Sequence, residues 1–241
     1  MTSPYPTCSP DDVAWLTESQ MFAVDRVMID TLRIGLIEMT ENAGRSLARL
    51  VIDRFAPSSV TVLAGSGGNS GGGLVAARHL ANRGVDVSIS LGQTPEDFAP
   101  VAGHQYSVLR RLGVSMTPDP RRCDVVIDAL IGSSLRGAPS GRIGELISTV
   151  RDIGTNIVSL DTPSGLNVTD GSIPGLVVDA DATLTLALPK IGLRHAPQVG
   201  ELYLADISVP PSVYSAMGVG PTPDFSRRAI LRILRSDNEP Y

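Results

Sequence analysis

The sequence predicts an α/β fold: a three-layer αβα sandwich around a mostly parallel sheet. Three observations point there. From residue 60 onward, apolar runs of strand length alternate with segments of helical spacing, the pattern of repeated βαβ units. The run Val60-Thr61-Val62-Leu63 leads through Ala64-Gly65-Ser66-Gly67-Gly68-Asn69-Ser70-Gly71-Gly72-Gly73 into a helical stretch, Leu74-Val75-Ala76-Ala77-Arg78-His79-Leu80-Ala81. Strand, glycine-rich turn and helix is the order in which backbone N–H groups and a helix N-terminus hold an anion. Finally, three loops that leave strand ends (65–72, 132–141 and 161–171) are all rich in Gly, Ser, Asp or Asn. In parallel sheets, ligands sit beyond those ends.

Taken in order, residues 1–14 are polar and proline-bearing and are expected to be loosely held. Thr17-Glu18-Ser19-Gln20 is a capping box, and Met21, Val24, Val27, Met28 and Leu32 follow at helical steps. A second helix is expected over about 36–55 with Gly44 inside it; that glycine costs about 1 kcal/mol against alanine and suits a close packing contact. Strand 60–64, helix 73–83 and strand 85–90 come next, then a helix opening at Thr94-Pro95-Glu96-Asp97 and running to about 112, with Pro at its first position. Asp124-Val125-Val126-Ile127-Asp128-Ala129-Leu130-Ile131 is a buried strand, followed by a Gly/Ser loop and a helix near 142–152. Strands at 156–160, 183–186 and 202–205 complete the pattern, and 226–235 is expected to be a short basic helix with Ile230, Leu231 and Leu234 on one face. With no repeat or linker in view, residues 1–241 are expected to form one domain.

A hydrophobic content of 42% is enough for one sizeable core, and with aromatics at 4% Val, Ile, Leu and Ala must fill it. No apolar run reaches the roughly 18 residues of a membrane span, and the opening residues lack the basic and apolar parts of a signal peptide. Cys8 and Cys123 give neither a disulfide framework nor metal-ligand spacing, so a cytoplasmic protein is expected. The net charge of −5 argues against a nucleic-acid binder.

The common nucleotide signatures fail. Gly65 and Gly67 fit a dinucleotide fingerprint, but Ser70 breaks it, and the second strand ends Ser90-Leu91-Gly92-Gln93 without an acid. The P-loop ending is absent as well. Several blocks together match something else: Glu41-Asn42-Ala43-Gly44, Asp124 through Gly132, Val158-Ser159-Leu160-Asp161-Thr162-Pro163-Ser164-Gly165, Ala180 through Leu186 with Pro189-Lys190, and Val199 through Ile207. In that order, over about 15–210, they resemble the YjeF N-terminal family. The resemblance implies a Rossmann-like sheet and an NAD(P)H-hydrate epimerase, which interconverts the C6 epimers of hydrated NADH or NADPH and is often homodimeric. Some relatives are fused to a dehydratase; none is expected within these 241 residues.

Position by position, the resemblance implies that Gly68, Asn69, Ser70, Gly71 and Gly72 form the loop around the substrate phosphates. Gly132, Ser133, Ser134, Leu135, Arg136, Gly137 and Ala138 match the second substrate loop. Asn69, Asp128 and Ser164 match the ligands of one potassium ion, and Asp161 the substrate-contacting acid, expected to be the catalytic acid/base. The family's loop reads Asn-Asn-Gly-Gly-Asp; here Gly68, Ser70 and Gly72 depart from it. Proton transfer by one carboxylate contributes about 10²–10⁴-fold.

Plainer readings stand beside these. An Asp before Thr-Pro-Ser also makes an Asx-turn, and Asp128 alone is a strand-end turn former. Lys190, the only lysine, and Arg136 fit either anion contacts or solvated surface. His79 and His195 lack a nucleophile or metal partner in the sequence and are expected to be structural. Glu41 and Asn42 are expected to tie the second helix to the glycine loop. A second functional reading is a non-catalytic or repurposed descendant that binds a nucleotide ligand or dimerises.

Overall fold

The computed structural model describes residues 4–153 and 155–235. Among them β1 (Thr7–Cys8), β2 (Ser59–Ala64), β3 (Asp86–Leu91), β4 (Ser115–Met116), β5 (Val125–Ala129), β6 (Asn156–Leu160), β7 (Ala182–Leu186), β8 (Glu201–Ala205) and β9 (Ile230–Ile233) form one sheet. Its order is β1-β9-β8-β7-β6-β5-β2-β3-β4. All pairings are parallel except β8 with β9, so the expected three-layer α/β arrangement is present.

Helices α2 (Leu36–Phe55), α3 (Gly68–Ala81) and α4 (Pro100–Arg111) cover one face, and α5 (Gly141–Ile153) covers the other. The strand periodicity explains both cores. Val60, Val62, Val125 and Ile127 pack on the α2–α4 side, while Leu63 and Val126 pack against Leu146, Ile147 and Val150 of α5. A third apolar cluster joins α1 (Glu18–Arg26) and the π-helical turn after it (Val27–Thr31) to Leu204, Ile233 and α6 (Pro211–Ala216). The capping box is formed: Gln20 N–H donates to Thr17 Oγ1 (3.2 Å), and Thr17 N–H to Gln20 Oε1 (2.9 Å).

Four expectations are corrected. The 226–235 segment is not a helix; it contains β9, with Leu231 opposite Leu204 and Ile233 opposite Leu202. Ile230 and Ile233 reach different core clusters, which a strand's alternation permits and a single helical face does not. Residues 4–14 are held rather than loose: Tyr5 donates its hydroxyl to Asp53 (2.9 Å), and β1 pairs with β9. Residues 1–3 of that segment lie outside the described residues. The helix expected from residue 95 is a 3₁₀ turn, Pro95–Asp97, followed by α4; Pro100 holds Ala99 extended and separates the two. Finally, α3 begins at Gly68, not at 73, so most of the glycine run is its first turn.

The close approach anticipated at Gly44 is real. A Cβ there would lie 2.4 Å from Val75 Cβ and 2.5 Å from the Gly72 carbonyl oxygen of α3. Because one of those neighbours is backbone, relief requires the two helices to part. Gly44→Ala is expected to lower stability by about 1–3 kcal/mol in urea unfolding, despite alanine's better helix propensity; an unchanged midpoint would contradict the packing account.

Candidate active site

After β2 the chain adds β3 and β4 on one side, then returns to place β5 on the other. The connections that leave the carboxyl ends of the paired strands β2 and β5 therefore go opposite ways, which is where an open parallel sheet leaves a crevice. A pocket of about 570 Å³ opens there, within the range of small-molecule sites. Its walls are the first turn of α3, the loop after β5, the end of β6, and the α1 and α2 faces bearing Phe22, Asp25, Leu36, Met39 and Thr40.

The α3 N-terminus supplies one wall. Its N-cap, Gly67, is extended, no side chain caps it, and its first turn holds no acidic residue. The leading N–H groups and the positive end of the helix dipole are thus left for an anion. Gly68, Asn69 and Gly72 line the pocket. Ser70 does not: it is fully buried and donates Oγ–H to the Ala129 carbonyl (3.0 Å), tying α3 to β5. Gly71 packs against Thr40 and Val101. The second loop, Gly132 through Ala138, lines the pocket throughout. Arg136, on its rim with a side chain 72% exposed, pairs with Glu18 of α1 (3.1 Å) and so links that loop to the opposite wall.

Asp128 lies beneath the pocket, fully buried. It accepts from Ser159 Oγ–H and Ser164 N–H (2.8 Å each) and from Ser164 Oγ–H and Leu130 N–H. Burial pushes its carboxyl up, and the Ser164, Ser159 and Leu130 hydrogen bonds oppose that. Ser164 Oγ also accepts from Ile131 N–H (2.9 Å), so the loops after β5 and β6 are locked together. Beside them, Asn69 has a buried carboxamide whose Oδ1 and Nδ2 find no partner among the described residues. Gly132 gives it room, since a Cβ there would meet Asn69 Cβ at 3.1 Å. An orphaned buried amide calls for a partner.

Asp161 follows β6 in a left-handed conformation, φ +66°, which Asp tolerates better than most residues. It is 7% exposed and lines the pocket. Three donors meet one of its oxygens, Oδ1: Lys190 Nζ, Thr185 Oγ1 (3.3 Å) and Leu186 N–H (3.4 Å). Lys190 is 1% exposed and also donates to the Leu186 carbonyl (3.0 Å) and Thr185 Oγ1 (3.2 Å). It belongs neither to the solvated surface nor to the pocket lining; burial makes it the counter-ion of Asp161.

The sequence reading did not single out Asp25. It lines the same pocket from α1, and burial pushes its carboxyl up to about 6, with Lys190 lowering and Asp161 raising it. Nothing in the helical pattern marks it, because it reads as one polar position beside an apolar stripe. Glu41 pairs with Arg78 and His79 (2.8 Å to Nε2) toward the far end of α3, not with its glycine turn. Asn42 donates to Ser208 Oγ (2.8 Å). Both therefore act as ties, to places other than the loop. Among the described residues, no group of three or more His, Cys, Asp or Glu side chains is arranged to hold a metal ion.

Together, fold and site define an α/β protein with a crevice at its topological switch point, an uncapped helix N-terminus on one wall and a lysine-held carboxylate on another. The chain belongs to the family described as YjeF-related protein N-terminus, whose profile matches residues 36–192. An NAD(P)H-hydrate epimerase of Dehalogenimonas lykanthroporepellens is 42% identical over 228 residues, covering 91% of this chain and 92% of that protein. One of Truepera radiovictrix is 34% identical and covers 76% and 84%. A bifunctional NAD(P)H-hydrate repair enzyme Nnr of Hyperthermus butylicus is 37% identical over 82% of this chain, which spans 40% of that longer protein. The crystal structure of yeast ynu0, YNL200c, shares the fold, with a TM-score of 0.78 at 23% identity over 90% of this chain and 99% of that one.

Removing Lys190 leaves a buried carboxylate without its counter-charge. Lys190→Met is expected to cost about 3–5 kcal/mol in chemical denaturation at pH 7, and the double variant Lys190→Met/Asp161→Leu to recover most of it. Additive losses would show that the two side chains do not act as a pair.

Proposed function

We propose that this chain is an NAD(P)H-hydrate epimerase, and the observation that carries the reading is Asp161: a pocket-lining carboxylate with Oδ1 held by three donors and Oδ2 left for substrate. C6 of the hydrate is a carbinolamine carbon, bearing a hydroxyl beside the ring nitrogen. Inverting it requires the oxygen, or the ring C–N bond, to leave and return from the other face. A positioned carboxylate that moves the proton lowers that barrier. The α3 N-terminus fits the substrate's phosphates, and loop 132–138 fits the rest of the nucleotide across the crevice. The epimerase names of relatives up to 42% identical over most of the chain support the same activity and favour it over a non-catalytic binding module.

A potassium ion belongs to the proposal. Asn69, Asp128 and Ser164 carry oxygen donors, the kind suited to a hard cation, and the buried Asn69 amide, which lacks a partner among the described residues, supports the reading. When bound, it would offset phosphate charge near the helix terminus. A homodimer is also proposed; Leu32, shortly before α2, and Ile37, at its start, leave exposed apolar surface that a second copy would cover. Sedimentation as a monomer at micromolar concentration would discard it. No helix among the described residues is long and apolar enough to cross a membrane. The unpaired Cys8 and Cys123 suit a cytoplasmic location, which cell fractionation checks.

The activity test uses purified protein and an epimeric mixture of hydrated NADH with potassium present. Acceleration over the spontaneous rate is expected, falling on the order of 10²–10⁴-fold in a folded Asp161→Asn variant. Asn69→Ala is expected to raise the potassium concentration needed for half-maximal rate. No acceleration by the unaltered protein would sink the reading.

A further inference from the structure

The pocket holds more proton-transfer capacity than one carboxylate. Of the residues that line it, Asp25, Arg136 and Asp161 carry ionisable side chains. Arg136 is bound to Glu18, and a guanidinium serves only as a hydrogen-bond donor. Asp161 is clamped through Oδ1 by Lys190, Thr185 and the Leu186 amide, so it cannot swing to serve a second face of a ring. Asp25 is different: it comes from α1, on another wall, and accepts no hydrogen bond and makes no ion pair among the described residues.

Resting on the epimerase reading, we propose that Asp25 is a second catalytic residue, the acid that protonates the departing C6 oxygen while Asp161 receives the proton of the incoming water. In the step, the C6–O bond breaks with its electron pair going to oxygen, and the Asp25 proton completes a water molecule. The ring nitrogen's lone pair forms the C6=N bond. A second water then bonds to C6 from the other face, the π pair returns to nitrogen, and that water's proton passes to Asp161 Oδ2. One water leaves and one enters. The net transfer of a proton from Asp25 to Asp161 is reversed through solvent or by turnover in the opposite direction.

The electrostatics agree with this division of labour. Burial pushes Asp25 up to about 6, while Lys190 gives Asp161 a direct counter-charge. The groups facing Asp25 are Lys190 and Asp161, with Tyr214 of α6 also within its field. Since Asp25 must be protonated to act, the rate it supports declines as pH rises through about 6.

The test compares the purified full chain with Asp25→Asn and Asp25→Glu between pH 5 and 8.5, with spontaneous epimerisation subtracted and folding checked by thermal melting. Asp25→Asn is expected to lower kcat on the order of 10²-fold, to leave KM within about threefold, and to lose the decline in rate above pH 6 that the unaltered protein shows. Asp25→Glu is expected to restore part of the rate together with that decline. In ¹⁸O-labelled water, each epimerisation should place label at C6. An Asp25→Asn enzyme within about threefold of the parent, with its pH profile intact, overturns the assignment, as does turnover without label. A parent protein that accelerates nothing overturns the epimerase reading itself, which is a separate result.

Discussion

The buried contact between Lys190 and Asp161 is the constraint on which the site depends. Desolvating each ion costs several kcal/mol, and the structure compensates with a direct ion pair, the Thr185 hydroxyl and two backbone groups of Leu186. The consequences reach beyond the pair. Lys190 forms a β-bridge with Leu16, and the two flanking bonds, Leu16 N–H to the Pro189 carbonyl (2.8 Å) and Ile191 N–H to the Leu16 carbonyl (3.0 Å), fix the chain just before α1. The segment that positions the counter-ion therefore also positions the helix that forms the opposite wall. Loss of the pair would disturb two sides of the pocket, not one.

A second constraint is steric. Helix α3 lies close enough to α2 and the sheet that Gly44, Gly72 and Gly73 have no room for a Cβ: the nearest atoms would be 2.4 Å away at Gly44, 2.6 Å at Gly72 (Leu160 Cδ2) and 2.5 Å at Gly73 (Ala129 Cβ). This approach is what sets the α3 N-terminus above the ends of β2 and β5. The glycines that look in sequence like a phosphate cradle thus divide into two jobs. Those at 67 and 68 leave the helix entrance open, and those at 72 and 73 let the helix sit down.

Most of the layer order was legible because strand and helix periods are local. Val60 through Ala64 and Val125 through Ala129 are short apolar runs buried throughout, and Thr17 with Gln20 announces a helix start. What escaped was non-local. Ser226 to Arg235 has enough spaced apolar residues to read as helix, and only the open edge of β8 decides for a strand. The burial of Lys190 depends on a carboxylate 29 positions away, which no window around Lys190 contains. Asp25 has no motif at all; its importance comes from which wall α1 forms. Asp161 and the loop 132–138, which the family blocks marked, follow β6 and β5, and the topology brings them to one pocket. Ser70 shows the opposite case: inside the motif, yet turned into the sheet.

The same geometry bears on the three departures in the glycine turn. A Cβ at Gly68 would meet nothing within 4 Å, so the absent asparagine removes a side chain from open pocket space without altering the backbone. Ser70 finds its own partner in the Ala129 carbonyl, adding a tie between α3 and β5. At Gly72 the space a larger residue would need is held by Leu160, the residue immediately before Asp161. A side chain at 72 and the orientation of the strand end that carries Asp161 are thus coupled through one leucine. The backbone N–H groups of the α3 terminus are independent of these three side chains, because they belong to the helix itself. On the proposed reading a phosphate would be held by the helix terminus without these side chains, and the space a side chain at 72 would need is taken by Leu160.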